Sequence, residues 1–321
     1  MEKSYIILVH ENPQQLLRLI KALDDNKSYF YIHVDKKVDI QDFKKFISDN
    51  KNVIFVANRY ECIWGHISIV YATLSCMQEV VNDKRNGYCI LISGQDYPIK
   101  SKELIDEYFN NGDDYEFIDI KPIKECWPDN KWVQRFNYYS FHLSSKRQDS
   151  ISIPYLFSSE AYNIKSWKSI AAKIAKTKDI KLIFEIISNI IRKRKHPEYI
   201  IPYGGSQWWA LTVPTIKEIL DFVHDNASFA SYHKHTLIPD EVFFHTIIMY
   251  LATKDKEIKI AGTLTYTNWE RKNVPLPVTF SSDDVGELVN LPKDKLFARK
   301  FDINIDENIL EKIDNKINLT F

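Results

Sequence analysis

One carboxylate and one ammonium group could together carry a displacement reaction. Pro239-Asp240-Glu241-Val242-Phe243-Phe244 places two acids just before an aromatic run, and Leu296-Phe297-Ala298-Arg299-Lys300-Phe301-Asp302 sets two adjacent cations between aromatics. An unperturbed glutamate titrates near ~4.3 and is ionised at neutral pH. On a cleft wall, Glu241 could take the proton from a hydroxyl as that oxygen attacks a carbon. The plainer reading is a helix N-terminus, with Pro239 in its first turn and the acids complementing the dipole. Arg299 and Lys300 could likewise be a snorkelling surface pair, or one of them could grip a phosphate.

Four further segments carry polar groups beside aromatics or glycines. Tyr88-Cys89-Ile90-Leu91-Ile92-Ser93-Gly94-Gln95-Asp96-Tyr97-Pro98 runs an apolar strand straight into a turn holding Asp96. In an open α/β sheet ligands lie beyond the carboxyl ends of the strands, so Asp96 is expected where a substrate would sit. Gly204-Gly205-Ser206-Gln207-Trp208-Trp209 lets backbone approach a ligand closely. Its two tryptophans must face opposite sides of a strand, one of them core and one able to act as a sugar platform. Trp64-Gly65-His66 and Asn268-Trp269-Glu270-Arg271 complete the set.

The elements that must position these residues follow from periodicity. Strands are expected at 5–9, 29–34, 53–56 and 88–92, with helices at 13–23, 40–47 and 67–81 between them. This alternation implies a mainly parallel sheet of α/β class. A further helix start follows at Lys102, after Pro98 and Ser101. The last third should hold a strand at 206–212, helices at 214–223 and 239–251, and a strand at 258–267. Between them, residues 165–195 contain ten Lys/Arg against Asp179 and Glu185. Ile180, Ile183, Phe184, Ile186, Ile187, Ile190 and Ile191 have helical spacing, and Arg192-Lys193-Arg194-Lys195 suits a negative helix C-terminus. Such a helix could pack into a core or rest on an anionic membrane surface.

Composition narrows the function. The 321 residues carry 43 Lys+Arg and 43 Asp+Glu, so no global field points to nucleic acid. Cys62, Cys76, Cys89 and Cys126 lack metal-ligand spacing and are expected as reduced thiols. No signal peptide and no apolar run of about 18 residues is visible. The expectation is a cytoplasmic protein able to lie peripherally at the inner face of the membrane, and its Lys, Asn and Ile content suggests a bacterium. Neither Gly-x-Gly-x-x-Gly nor a Walker loop is present. Nowhere do two aspartates stand two apart, so a departing diphosphate would be neutralised by Lys and Arg.

The order of these blocks resembles one family over about residues 5–302. Ile32-His33-Val34-Asp35-Lys36, Trp64-Gly65, Ser93-Gly94-Gln95-Asp96-Tyr97-Pro98, Gly205-Ser206-Gln207-Trp208, Pro239-Asp240-Glu241, Asn268-Trp269 and Phe297-Ala298-Arg299-Lys300 are similar to successive motifs of the core-2/I-branching β-1,6-N-acetylglucosaminyltransferases. That family, glycosyltransferase family 14, includes the peptide O-xylosyltransferases. The resemblance implies a GT-A-like, Rossmann-related fold and an inverting transfer from a UDP-sugar, with GlcNAc as the expected sugar and no metal or other cofactor. It makes Glu241 the catalytic base and Lys300, beside Arg299, the ligand of the leaving UDP. Val9, His10 and Asp35 would receive the uridine, and Arg271 is the nearest match to a second diphosphate cation. Trp269 would meet the acceptor sugar, with Asp96, Trp64, Gln207 and Trp208 as further substrate contacts.

One domain over 1–321 is expected, with a nucleotide-binding half at 1–120, a basic helical insert at 121–203 and an acceptor half at 204–321. The acceptor would be a glycan, free or lipid-linked, in bacterial surface polysaccharide synthesis. Two alternatives stand beside this reading. One is a peptide O-xylosyltransferase-like enzyme using UDP-xylose, disfavoured by Gln207 where those relatives carry Asp. The other is a carbohydrate-binding protein that has lost catalysis on the same fold.

Overall fold

The computed structural model describes residues 1–47, 50–111, 114–147, 149–162, 164–177 and 179–318. Its centre is a seven-stranded sheet of β1 (Lys3–Val9), β2 (Ser28–Val34), β3 (Val53–Phe55), β4 (Tyr88–Ser93), β5 (Tyr115–Ile118), β6 (Trp209–Thr212) and β7 (Lys259–Ala261). They lie in the order β7-β5-β6-β4-β1-β2-β3. All neighbours run parallel except the two pairings that β6 makes, with β4 and with β5. This is the mainly parallel α/β sheet expected from the alternation of strand and helix patterns.

Alternation along β1 builds two cores. Tyr5, Ile7 and Val9 join Leu16, Leu19, Ile20 and Leu23 of the helix Pro13–Leu23 on one face. Ile6 joins Val70, Met77 and Val80 of the helix Ser68–Asn82 on the other. Both faces are therefore buried, which is why β1 and β4 read as unbroken apolar runs. The helix Lys102–Asn110 starts where Ser101 accepts a hydrogen bond from the Leu104 amide.

This topology collects the functional segments at one edge. The parallel strands end there, delivering Val9, Asp35, Ser93 and Asp119, while β6 begins there with Gln207 and Trp208 just before it. A small sheet of Asp96–Pro98, Phe297–Arg299 and Thr265–Thr267 stands beside this edge and pairs Arg299 with Asp96. Residues 121–203 fill the span between β5 and β6 and include a hairpin, Tyr139–His142 with Ser150–Ile153, and the helices Ile164–Thr177 and Ile180–Ile190. Phe141, Ile153, Ile186 and Ile190 give this lobe its own core.

Four local expectations are corrected. Residues 239–251 do not form one helix: a single turn, Pro239–Glu241, is followed by a break at Val242 and the helix Phe243–Lys254. The Glu241 carbonyl accepts from the Gly205 amide at 3.0 Å, which takes it out of any helical ladder. The strand expected at 258–267 divides between the two sheets, with the Thr263 amide drawn aside to Asp119 at 3.1 Å. Pairing in β6 begins at Trp209 rather than Ser206, whose carbonyl is held by His245 at 2.8 Å. The run 192–195 does not simply trail from a helix end, because Arg194 turns inward.

Candidate active site

Glu241 is presented on a turn held from three sides. The Ile238 amide donates to the Gly65 carbonyl at 2.9 Å, which fixes the turn against the loop after β3. Gly205 accepts no side chain: a Cβ there would lie 1.8 Å from the Asp119 carbonyl oxygen. A Cβ on Gly204 would meet the Trp127 ring at 2.8 Å and the Glu241 carbonyl at 3.0 Å. The glycine pair therefore lets the Glu241 backbone close onto the end of β5.

The third support is a guanidinium. Arg135 Nη1 donates to Glu241 Oε2 at 2.9 Å and stacks over the Trp127 ring at 3.7 Å. The Glu241 side chain keeps 32% of its exposure, so the carboxylate is oriented but still reaches solvent. Arg135 is itself placed by Arg194, which donates to the carbonyls of Arg135, Tyr138 and Tyr232 and to Thr236 Oγ1. Arg194 is buried against the rings of Tyr232 and Tyr139. Beside Glu241, burial first and the Glu241 charge second push Asp240 up to about 7. Asp240 is thus neutral over much of the acid range, leaving Glu241 the charged group of the turn. His245, under the same turn, is pulled down to about 4 by burial. Its Nε2 carries the proton, because the Ser206 carbonyl can only accept.

The cations form a second wall along the same sheet edge. Arg299 Nη1 donates to Asp96 Oδ2 at 3.1 Å and to Ser93 Oγ, and its guanidinium lies 4.6 Å from the centre of the Trp208 ring. Lys300 follows, with its amide donating to Val278 and its carbonyl accepting from Phe280. Buried Gln15 ties this segment to β4 by donating to the carbonyls of Gly94 and Phe301. Burial, then the charges of Arg299 and Arg147, lower the Lys300 pKa, while Asp302 and Glu11 oppose the effect. Three cations held within range of one another would gain most from an anion with several charges, such as a diphosphate.

Two chains of contacts join the walls. From Glu241, Gly205 leads through Ser206 and Gln207 to Trp208, which packs on Arg299. From Ile238, Gly65 leads to Trp64, whose ring faces Arg147 at 5.2 Å, and Arg147 acts on Lys300. Glu241 and Lys300 thus border one continuous edge of the sheet.

The other expected residues distribute unevenly. Val9 and Asp35 are buried at their strand ends, and Asp35 accepts from the amides of Lys37 and Cys62. His10 is exposed beside Glu11, and Gln207 is half-buried. Trp64 and Trp269 are exposed at 39% and 59%, open enough to stack on a sugar. Asp96 is a correction: it is 0% exposed and anchors Arg299, so it supports the site without touching a substrate. Trp208 is likewise buried beneath Arg299, and Trp209 is core against Phe244, so neither is an open platform. Arg271 is ion-paired with Asp284 at 2.7 Å and Glu287 at 3.6 Å. Arg147, over the Trp64 ring, is a further cation whose charge acts on Lys300.

Arg135, Trp127 and Arg147 escape the sequence reading, and Arg194 enters it only as part of a helix-ending run. Their signal was present as cations and aromatics in the middle segment, but their partners lie far off in sequence. All four cysteines are free, and among the described residues no group of three or more His, Cys, Asp or Glu is arranged to hold a metal.

The family comparison agrees with this architecture. The Core-2/I-Branching enzyme family matches residues 4–288. The chain belongs to that family. Human xylosyltransferase 2 is 25% identical over 97% of this chain, and the Ciona intestinalis xylosyltransferase is 25% identical over 98%. Rat xylosyltransferase 1 is 22% identical over 97%. The chain spans only about a third of these relatives, at 33%, 34% and 35% of their lengths. The branching-enzyme match takes in Glu241 and stops before Arg299 and Lys300, so the place of those two in the site comes from the geometry.

Proposed function

We propose that this branching-family chain is an inverting glycosyltransferase that moves a sugar, GlcNAc in our reading, from a UDP-sugar to a glycan hydroxyl. Glu241 removes the hydroxyl proton as the oxygen attacks the anomeric carbon from the face opposite the nucleotide. UDP departs toward Lys300 and Arg299, with Arg147 at the rim, and these cations take the place of a metal in our reading. The observation that carries the proposal is a solvent-reaching carboxylate, locked by Arg135 and the glycine pair, on the same sheet edge as the cation cluster. Orientation and charge stabilisation supply the rate. A lipid-linked glycan acceptor would bring the chain to the inner face of a membrane.

Glu241→Gln tests the role. Donor binding should stay near wild type while turnover falls about 10²–10⁴-fold, the scale of general base catalysis. Turnover close to wild type would remove Glu241 from the mechanism. Activity should also persist in excess EDTA, and complete loss restored by Mn²⁺ would contradict the cationic leaving-group scheme. The names of the relatives favour a second reading, with UDP-xylose as donor and a serine peptide as acceptor. Parallel assays with UDP-GlcNAc and UDP-xylose separate the two.

A further inference from the structure

The helix Ile180–Ile190 is apolar on two faces, and only one of them is used. Ile186 and Ile190 enter the lobe core. Ile180, Phe184 and Ile187 point outward at 80%, 73% and 55% exposure, followed by Ile191 just beyond the helix. At about 100° per residue these four fall in one stripe roughly 60° wide. The stripe continues past the helix end, where the Leu156 amide donates to the Ile190 carbonyl and the neighbouring Phe157 is also exposed. A row of large apolar side chains in water is unfavourable unless something covers it.

The surroundings of the stripe indicate what covers it. A groove of about 740 Å³ runs along the helix and is lined by Lys181, Arg192, Lys193, Lys195 and Lys234, with Glu185 as its single carboxylate. Glu185 is already paired with Lys234 at 2.9 Å. A second copy of the chain meeting this face would set the same cations against themselves. An anionic lipid surface satisfies both parts, taking the apolar stripe among its acyl chains and the cations among its headgroups.

We propose that the Ile180–Ile191 face docks this protein peripherally on an anionic bilayer, with Phe184 and Ile187 inserted and Lys181, Arg192, Lys193 and Lys195 at headgroup level. This deepens the lipid-linked reading of the acceptor, but its test needs no catalysis. The full chain is floated with vesicles of phosphatidylcholine alone or mixed with phosphatidylglycerol, at low and high salt, while UDP affinity and melting temperature are followed as controls. Binding should require phosphatidylglycerol and fade with salt. Phe184→Ser with Ile187→Ser should weaken it at least about tenfold. Lys193→Gln with Lys195→Gln should weaken it roughly twenty-five-fold, about fivefold per cation. UDP affinity and melting should be unchanged in both variants, which alter only exposed side chains. Absence of flotation at low salt, binding equal in the variants, or a wild-type dimer that the Phe184/Ile187 variant abolishes would each overturn the assignment. Failure of flotation with UDP binding intact would leave the transferase reading untouched.

Discussion

Replacing Asp240 with asparagine should change the pH dependence of stability in a way no other single side chain of the turn can. Asp240 is 6% exposed, and burial with the adjacent Glu241 charge raises it from 3.8 to about 7. Between those values the native protein holds a proton that the unfolded chain has released. Its contribution to stability therefore falls as pH rises through that interval, by about 1.4 kcal/mol per pH unit. Buried histidines act in the opposite sense. His33, His66, His196, His235 and His245 are pulled down to about 4, chiefly by burial, so each adds stability as pH rises toward about 6.5. Both contributions exist in the wild type, and only the histidine one survives in Asp240→Asn. Urea unfolding followed by tryptophan fluorescence isolates the difference at matched pH. From about pH 5 to about pH 7 the variant should gain about 2 kcal/mol relative to wild type. Parallel stability curves would show that Asp240 is ionised throughout and that Glu241 is not the lone charge of its turn.

Lys300→Met should weaken UDP binding roughly ten- to hundredfold in calorimetry, the worth of one charge-assisted hydrogen bond. Unchanged affinity would move the diphosphate elsewhere. Arg299→Ala removes the ion-pair partner of fully buried Asp96 and should cost roughly 3–5 kcal/mol in urea unfolding. A loss below about 1 kcal/mol would show that Asp96 does not depend on it. Arg135→Met keeps a side chain over Trp127 but leaves Glu241 without its charged partner. Turnover should fall about tenfold with the donor KM unchanged. Partial recovery in Arg135→Lys would mark a role in holding the carboxylate, and a variant lowered only in stability would dismiss it.

The legible parts of the molecule were those whose signal is local. Tyr5 to Val9 and Tyr88 to Ile92 read as strands because both faces are buried, and Pro13 to Leu23 read as a helix because its leucines fall on one face. The turn at Pro239 to Glu241 was misread as the start of a long helix, since the hydrogen bond that ends it comes from Gly205, outside the segment. Asp96 stands where a ligand residue would, but the cation opposite it arrives from residue 299 across a separate sheet. The roles of Arg135 and Arg194 were not legible because they lie in partners 106 and 42 residues away, at Glu241 and Thr236. Periodicity reports which face of an element is apolar, and it is silent on which charge will meet which.

One reversed strand has a practical corollary. β5 leaves the sheet at the same rim where β6 returns to it, so residues 121–203 form a detour that starts and finishes at the mouth of the site. Exchanging that detour would leave the seven-stranded sheet in place while replacing Arg135, Trp127 and the outward-facing helix together. A chimera built at those two points is therefore the natural way to measure what that segment contributes while keeping residues 1–118 intact.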